Sequence, residues 1–364
     1  MIDSSRPWLH GVASLPGEGG GAMIRLDCNE SPFDLPPAIK EAAVARIRSL
    51  SFNRYPDVAA SAVAERLAAS LGVRPAQIVL GHGLDEVILM LLLAFGAGKR
   101  AIIPVPGFGG YRHSAAVTGV EIVGVPLLPW LDINLDRILD EAKREPGLVF
   151  VCDPHNPTGR PAPEGAIERI LEETRSLVVV DEAYWEFSGR TCVPLLKKYD
   201  RLIVLRTFSK ALGLAGIRLG YAVSSEDLAA RLSSVKQPYN VSSLSLAVAE
   251  AVLDDTGFVR ETVSRVVSER ERLSWAFLAV PGVVPFPSSA NFILIKTPRP
   301  ENEICDALRK EGIYVRVFPG EPLLSGCIRV TVGKPDENDA FLRALSHLTI
   351  TDDRQAVIGG GYHA

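Results

Sequence analysis

Between about residues 75 and 225 the chain sets seven short apolar runs in a frame of helical patterns, and this alternation restricts the fold more than any other feature. The runs are Ile78–Leu80, Ala101–Val105, Glu121–Val125, Leu148–Cys152, Leu177–Val180, Leu202–Leu205 and Leu219–Val223. Most are apolar throughout and bounded by Gly, Pro or Asp, the pattern of strands covered on both faces. Strands of that kind need helices on both sides, so the segment predicts an α/β fold around a seven-stranded, mainly parallel sheet.

The intervening helices carry their own signals. Pro163-Glu164 opens one expected to run to about Glu173, with proline near the first turn and acid early, as the helix dipole favours. The longest apolar run, Val87–Phe95, lies between Asp85-Glu86 and Gly96-Ala97-Gly98. It falls well short of the ~20 residues that span a bilayer and reads as a buried helix.

Beyond residue 255 the texture changes. A long charged helix, about Phe258 to Ala279, leads into strands Asn291–Lys296, Tyr314–Phe318 and Ile328–Val332, with helices near Glu301–Lys310 and Asp336–His347. This mixture predicts a smaller α+β domain. A length of 364 residues suits two domains. The expected division is an N-terminal arm with part of the small domain in 1–50, where Pro36-Pro37 starts a helix. A large domain follows in 51–255, then the C-terminal small domain in 256–350 and a flexible tail in 351–364. The stretch Gly17–Gly21 also reads as flexible.

Composition narrows the function. A net charge of -4 offers no broad basic surface for nucleic acid, which leaves a small-molecule substrate as the expectation. The five cysteines, Cys28, Cys152, Cys192, Cys305 and Cys327, are odd in number and lack metal-ligand spacing, so reduced thiols and no metal site are expected. Met1 to Gly21 has no apolar stretch of signal-peptide type, and the expected location is the cytoplasm, away from membranes.

In open α/β sheets the ligand lies outside the carboxyl ends of the strands. Polar groups cluster at those positions here. Gly81-His82-Gly83-Leu84-Asp85-Glu86 makes a Gly-rich turn into a helix, whose free N–H groups suit a phosphate as well as a plain helix start. Asp153-Pro154-His155-Asn156-Pro157-Thr158-Gly159 follows Leu148–Cys152. Its prolines and glycine explain a turn but not the Asn between them. Asp181-Glu182-Ala183-Tyr184 ends Leu177–Val180, where Asp181 could act as a cap or aim into the crevice with Tyr184. Thr207-Phe208-Ser209-Lys210 follows Leu202–Leu205, with Arg218 eight residues on. A lysine in a hydroxyl-rich turn between buried strands is costly without a covalent or ionic task.

Together these elements match one chemistry. Pyridoxal 5′-phosphate requires a lysine for its carbonyl, an acid for its pyridine nitrogen, donors for its ring hydroxyl and a cup for its phosphate.

Asn156-Pro157-Thr158-Gly159, Asp181-Glu182-Ala183-Tyr184 and Ser209-Lys210 with Arg218 resemble the fold-type-I aminotransferases of class I/II, from about Leu26 to Leu348. Within that family, Asn29-Glu30-Ser31-Pro32, Arg54-Tyr55-Pro56, Ser289-Ala290-Asn291-Phe292 and the segment Leu324 to Gly333 are most similar to the histidinol-phosphate aminotransferases. The resemblance implies that Lys210 binds the cofactor covalently and then moves the proton, that Asp181 pairs with the ring nitrogen, and that Asn156 and Tyr184 donate to the ring oxygen. It implies that Phe108 stacks on the ring. The phosphate would be held by the N–H groups of Leu84 and Asp85, by Thr207, Ser209 and Arg218, and by Tyr55 from the second subunit of a homodimer. Asn29, Arg316, Arg329 and Trp8 would meet the substrate, an amine donor exchanging with a 2-oxo acid.

The pattern departs from the family at Leu84, where a small residue is usual, at His155, where a second Asn or similar group is common, and at Pro7-Trp8, where Pro-Tyr is usual. A threonine-phosphate decarboxylase and an aromatic amino acid aminotransferase would share the same scaffold. A cofactor-sensing regulator would need a DNA-binding module that the sequence does not suggest.

Overall fold

The computed structural model describes residues 23–358. Trp8, Gly17–Gly21 and the last six positions of the expected tail lie outside the described residues.

Strand β1 (Ile24–Leu26) precedes the helices Pro37–Arg48 and Ser61–Leu71. The main sheet then follows as β2 (Ile78–His82), β3 (Arg100–Val105), β4 (Glu121–Pro126), β5 (Leu148–Cys152), β6 (Leu177–Asp181), β7 (Leu202–Thr207) and β8 (Leu219–Ser224). Every apolar run identified above is one of these strands. Their order is β2-β8-β7-β6-β5-β3-β4, and β8 alone runs antiparallel to its neighbours. The segment between β7 and β8 has no crossover helix, so the two strands meet antiparallel. That same segment carries Lys210.

The uniformly apolar runs are explained by the two cores that the sheet separates. Val149, Val151, Val178, Val180 and Val204 face one core with Ile138, Ile167 and Leu246. Their alternates Phe150, Val179, Ile203 and Leu205 face the other, with Ile88, Leu91 and Leu92 of the helix Gly83–Phe95. With a side-chain period of two and both faces buried, no position is left for a polar residue until the strand ends.

A second sheet holds β9 (Val284–Pro285), β10 (Phe292–Lys296), β11 (Ile313–Val317) and β12 (Cys327–Thr331) in the order β1-β11-β12-β10-β9. The long helix Gly257–Leu278 leads into it and buries Val266, Leu273 and Phe277 in its core. Strand β1 pairs parallel with β11, a contact that a three-residue run gives no periodicity to reveal. The helix Pro37–Arg48, by contrast, sends Ile39 and Ala43 into the core of the main sheet beside Val252. Two element ends differ from expectation. The helix after β5 starts at Ala166 rather than Pro163, because Gly165 sits in the left-handed region at φ 70°. The last helix runs Pro335–Ile358, beyond the expected His347.

Among the described residues no helix is long and apolar enough to cross a membrane. All five cysteines are free thiols.

Gly220 shows how tightly β8 passes the start of the helix Gly83–Phe95: an added Cβ would come within 2.6 Å of the Leu84 backbone nitrogen. Gly216, near in sequence, has open space around it. Gly220→Ala is therefore expected to cost about 1–3 kcal/mol in denaturant unfolding through overpacking, and Gly216→Ala less than about 0.5. Equal stabilities would contradict this packing.

Candidate active site

The carboxyl ends of β2, β5, β6 and β7 lie on one edge of the sheet, and β8, running the other way, begins there. This single edge gathers Gly83-Leu84-Asp85, Asn156, Asp181, Tyr184, Thr207, Ser209, Lys210 and Arg218.

Asp181 ends β6 and is 3% exposed. Its Oδ1 accepts from the Ala183 N–H at 3.0 Å and its Oδ2 accepts from the Tyr111 hydroxyl at 2.5 Å. Desolvation pushes its carboxyl up to about 6. The backbone bond is the capping role considered for this residue, and it coexists with a buried, partly protonatable carboxyl at the strand end. Tyr111 was not anticipated. It lies in the first turn of the helix Gly109–Thr118, just after Phe108.

Tyr184 is buried, and its oxygen accepts from the side-chain amides of Asn29 at 3.0 Å and Asn156 at 3.2 Å. With both lone pairs occupied, its own proton is free for an acceptor outside this network. The amide of Asn156 has a fixed sense: its Oδ1 accepts from Arg329 Nη1 at 2.7 Å, so Nδ2 must face Tyr184. Asn29 sits in the left-handed region at φ 52° and is tied to the second sheet by Thr331 and Asn291.

Lys210 Nζ donates to the Cys28 carbonyl at 2.9 Å and stands 6.0 Å from the centre of the Tyr184 ring. Desolvation, helped by the positive charge of Arg329, lowers its amine from 10.5 to about 8.

At the start of the helix Gly83–Phe95, a Cβ on Gly83 would meet Arg218 Nη2 at 2.8 Å, so glycine is what lets the guanidinium approach these N–H groups. Arg218 itself adopts φ 55° and pairs with Asp85 at 3.2 Å, in an exposed position. Thr207 and Ser209, at and just past the end of β7, are buried and linked by a bond from the Ser209 N–H to the Thr207 hydroxyl at 3.1 Å. Leu84, partly buried, packs against apolar residues of two cores and offers only its backbone.

The second sheet brings two arginines. Arg316 on β11 and Arg329 on β12 are direct cross-strand partners. Arg329 is buried between Phe292 and Phe318, donates to Asn156 and to the Asp27 carbonyl, and leaves Nε without a partner. Burial lowers it to about 10. Arg316, half-buried and also lowered by desolvation, has no hydrogen-bonded carboxylate among the described residues. Like charges placed opposite one another on a sheet repel unless an anion joins them.

Other expected site residues stand as follows. Phe108 precedes the helix Gly109–Thr118 and meets Tyr111 edge-on at 5.4 Å. His155, buried, bonds Thr158 through Nδ1 and is held neutral, lowered to about 4 by desolvation. Tyr55 is not part of the cluster in this chain: it is 80% exposed and stacks on Tyr239 at 4.4 Å. Trp8 lies outside the described residues. Sequence reasoning did not foresee the Cys28 and Asp27 carbonyls or Thr331 as contacts, since backbone and hydroxyl contacts across sheets leave no local pattern.

These features define the site of a fold-type-I pyridoxal-phosphate enzyme. The model of the family "Aminotransferase class I and II" matches residues 22–345. The histidinol-phosphate aminotransferase of Pyrococcus furiosus is 39% identical over 326 residues, covering 90% of this chain and 92% of that protein. Histidinol-phosphate aminotransferase 1 of Carboxydothermus hydrogenoformans is 43% identical over 331 residues, covering 89% and 93%. Among solved structures, the histidinol-phosphate aminotransferase of Sinorhizobium meliloti in complex with pyridoxal-5′-phosphate aligns with TM-score 0.81 at 27% identity, covering 90% and 91%. The chain belongs to the class I and II aminotransferases. It is a pyridoxal-phosphate-dependent enzyme of the histidinol-phosphate aminotransferase-like group.

The residues present fit that cofactor. A glycine-lined approach to Arg218 at a helix start suits a phosphate, and a buried carboxyl suits a ring nitrogen.

Because the amine of Lys210 is lowered, it is neutral and nucleophilic above about 8 rather than above 10.5. Capture of pyridoxal phosphate by cofactor-stripped protein, followed by absorbance, should rise with pH through a midpoint near 8. A midpoint at the ordinary lysine value would contradict the desolvated setting.

Proposed function

We propose that this chain transfers an amino group between a phosphorylated amino alcohol, histidinol phosphate first, and 2-oxoglutarate, acting as a cytoplasmic homodimer. The observation that carries the substrate class is the Arg316–Arg329 pair, two desolvated guanidiniums opposite one another, with Arg329 Nε unsatisfied. A phosphate monoester offers the dianion and the several acceptor oxygens that such a pair needs. The names of the relatives point to the same donor.

The cofactor, when bound, supplies a carbonyl for covalent attachment and a ring that accepts electrons from the substrate's α-carbon. Lys210 would hold the cofactor through Nζ and, once the donor amine has taken its place, the freed amine would take and return the proton at the α-carbon. An amine poised at about 8 suits both directions of that transfer. Asp181 would hold a proton on the ring nitrogen. Asn156 and Tyr184 would donate to the ring oxygen, and Phe108 would cover the ring face. Gly83-Leu84-Asp85 with Thr207, Ser209 and Arg218 would hold the phosphate, which would compete with Asp85 for Arg218. Asn29 would orient Tyr184 from the substrate side. Donor and 2-oxo acid use one site in turn, which gives ping-pong kinetics.

The exposed stack of Tyr55 on Tyr239 supports a dimer: aromatic rings paired on a surface favour a second copy, and Tyr55 would then complete the phosphate cup of the other subunit.

The test is kcat/KM for histidinol phosphate, histidinol, threonine phosphate and an aromatic amino acid, on the native enzyme and Arg316→Ala. Histidinol phosphate should be used best. The substitution should cost it roughly 10- to 100-fold, as loss of a charge-assisted pair implies, and leave histidinol little changed. Best use of the aromatic amino acid with no effect of Arg316→Ala would defeat the phosphate-donor assignment. Carbon dioxide release from threonine phosphate would move the chain to the decarboxylases.

A further inference from the structure

Tyr111 is the one group donating a side-chain hydrogen bond to Asp181 among the described residues, at 2.5 Å, and both residues are buried. Its ring is held edge-on to Phe108 at 5.4 Å and tilted against Phe150 at 5.0 Å, so the hydroxyl has little freedom to turn away. Burial and the neighbouring carboxylate push the phenol well above its ordinary range, so it keeps the proton that it donates to Asp181.

The groups that face Asp181 come from each surrounding element. Cys152 stands at the end of β5, Asp85 on the helix Gly83–Phe95, and Glu182 and Tyr184 just beyond β6. Asp85 and Glu182 bring negative charge and, with desolvation, favour the protonated carboxyl. The Tyr111 hydroxyl and the Ala183 N–H oppose them. A carboxyl that drew the proton to itself would leave the ring nitrogen neutral and a poor electron acceptor.

We propose that Tyr111 is a positioning residue for this reaction: by donating to Oδ2 of Asp181 it keeps that carboxylate the weaker base, so the shared proton stays on the ring nitrogen of the cofactor. The inference rests on Asp181 being the partner of that nitrogen, as assigned under Proposed function. The opposite carboxylate oxygen, Oδ1, is already committed to the Ala183 N–H, so both oxygens are oriented before the cofactor enters. Preorganised donors of this kind act without rearrangement during the reaction.

The experiment uses holoenzyme reconstituted with pyridoxal phosphate carrying 15N in the ring, which reports the protonation of that nitrogen by its chemical shift. Native enzyme should give the signal of a protonated pyridine, and Asp181→Asn that of an unprotonated one. Tyr111→Phe keeps the ring packing and loses only the hydroxyl. Its signal should move from the protonated position toward the unprotonated one. Its kcat should fall roughly tenfold with KM within about twofold, the pattern of a group whose effect is felt in the transition state. A Tyr111→Phe signal identical to native, while Asp181→Asn moves, would overturn the inference even if kcat fell, because loss of packing alone lowers rate without moving the proton. An unmoved Asp181→Asn signal would instead defeat the assignment of Asp181 itself. Thermal unfolding of Tyr111→Phe at the native midpoint confirms that the comparison is made on folded protein.

Discussion

The buried guanidinium of Arg329 is the contact on which the site depends. It grows from the smaller sheet, is clamped between two phenylalanine rings, and reaches across to the turn after β5. Through Asn156 it fixes the sense of one amide, and that amide fixes the proton of Tyr184. Through the Asp27 carbonyl it anchors the segment after β1, whose next residue supplies the carbonyl that holds Lys210. Removing one partner of such a network leaves a charge or amide stranded in low dielectric, a penalty of about 3–5 kcal/mol for a buried ion-like group. The two sheets are therefore coupled through the site itself.

Burial tunes the two titratable groups toward each other. A lysine lowered to about 8 is more readily uncharged near neutrality, and a carboxyl raised to about 6 is still largely ionised there. The same desolvation acts on both, and its opposite effects follow from the opposite signs of the charged forms. Dry walls from Tyr184, Phe292 and the valine-rich strands supply it.

The main sheet was legible because its strands are buried on both faces, which forces unbroken apolar runs and pushes every polar residue to the ends. Asp181, Asn156 and Lys210 stood out for that reason. Contacts made across the fold were not legible in the same way. Asn29 meets Tyr184 across 155 positions and Arg329 meets Asn156 across 173, and no periodicity encodes such pairings. Strand β1 is too short to show a period, and Gly165 moved a helix start by a conformation that the preceding proline masked. Tyr111 was overlooked because a tyrosine on an amphipathic face reads as ordinary core. Only the placement of the Asp181 carboxyl at its hydroxyl gives it a further meaning.

The central claim is that the turn after β7 presents Lys210 as the residue that holds the cofactor. Borohydride reduction of the holoenzyme followed by peptide mapping addresses it directly. The cofactor should be recovered on a single peptide, attached to Lys210. Attachment to any other lysine, or a protein that takes up no pyridoxal phosphate, would contradict the account.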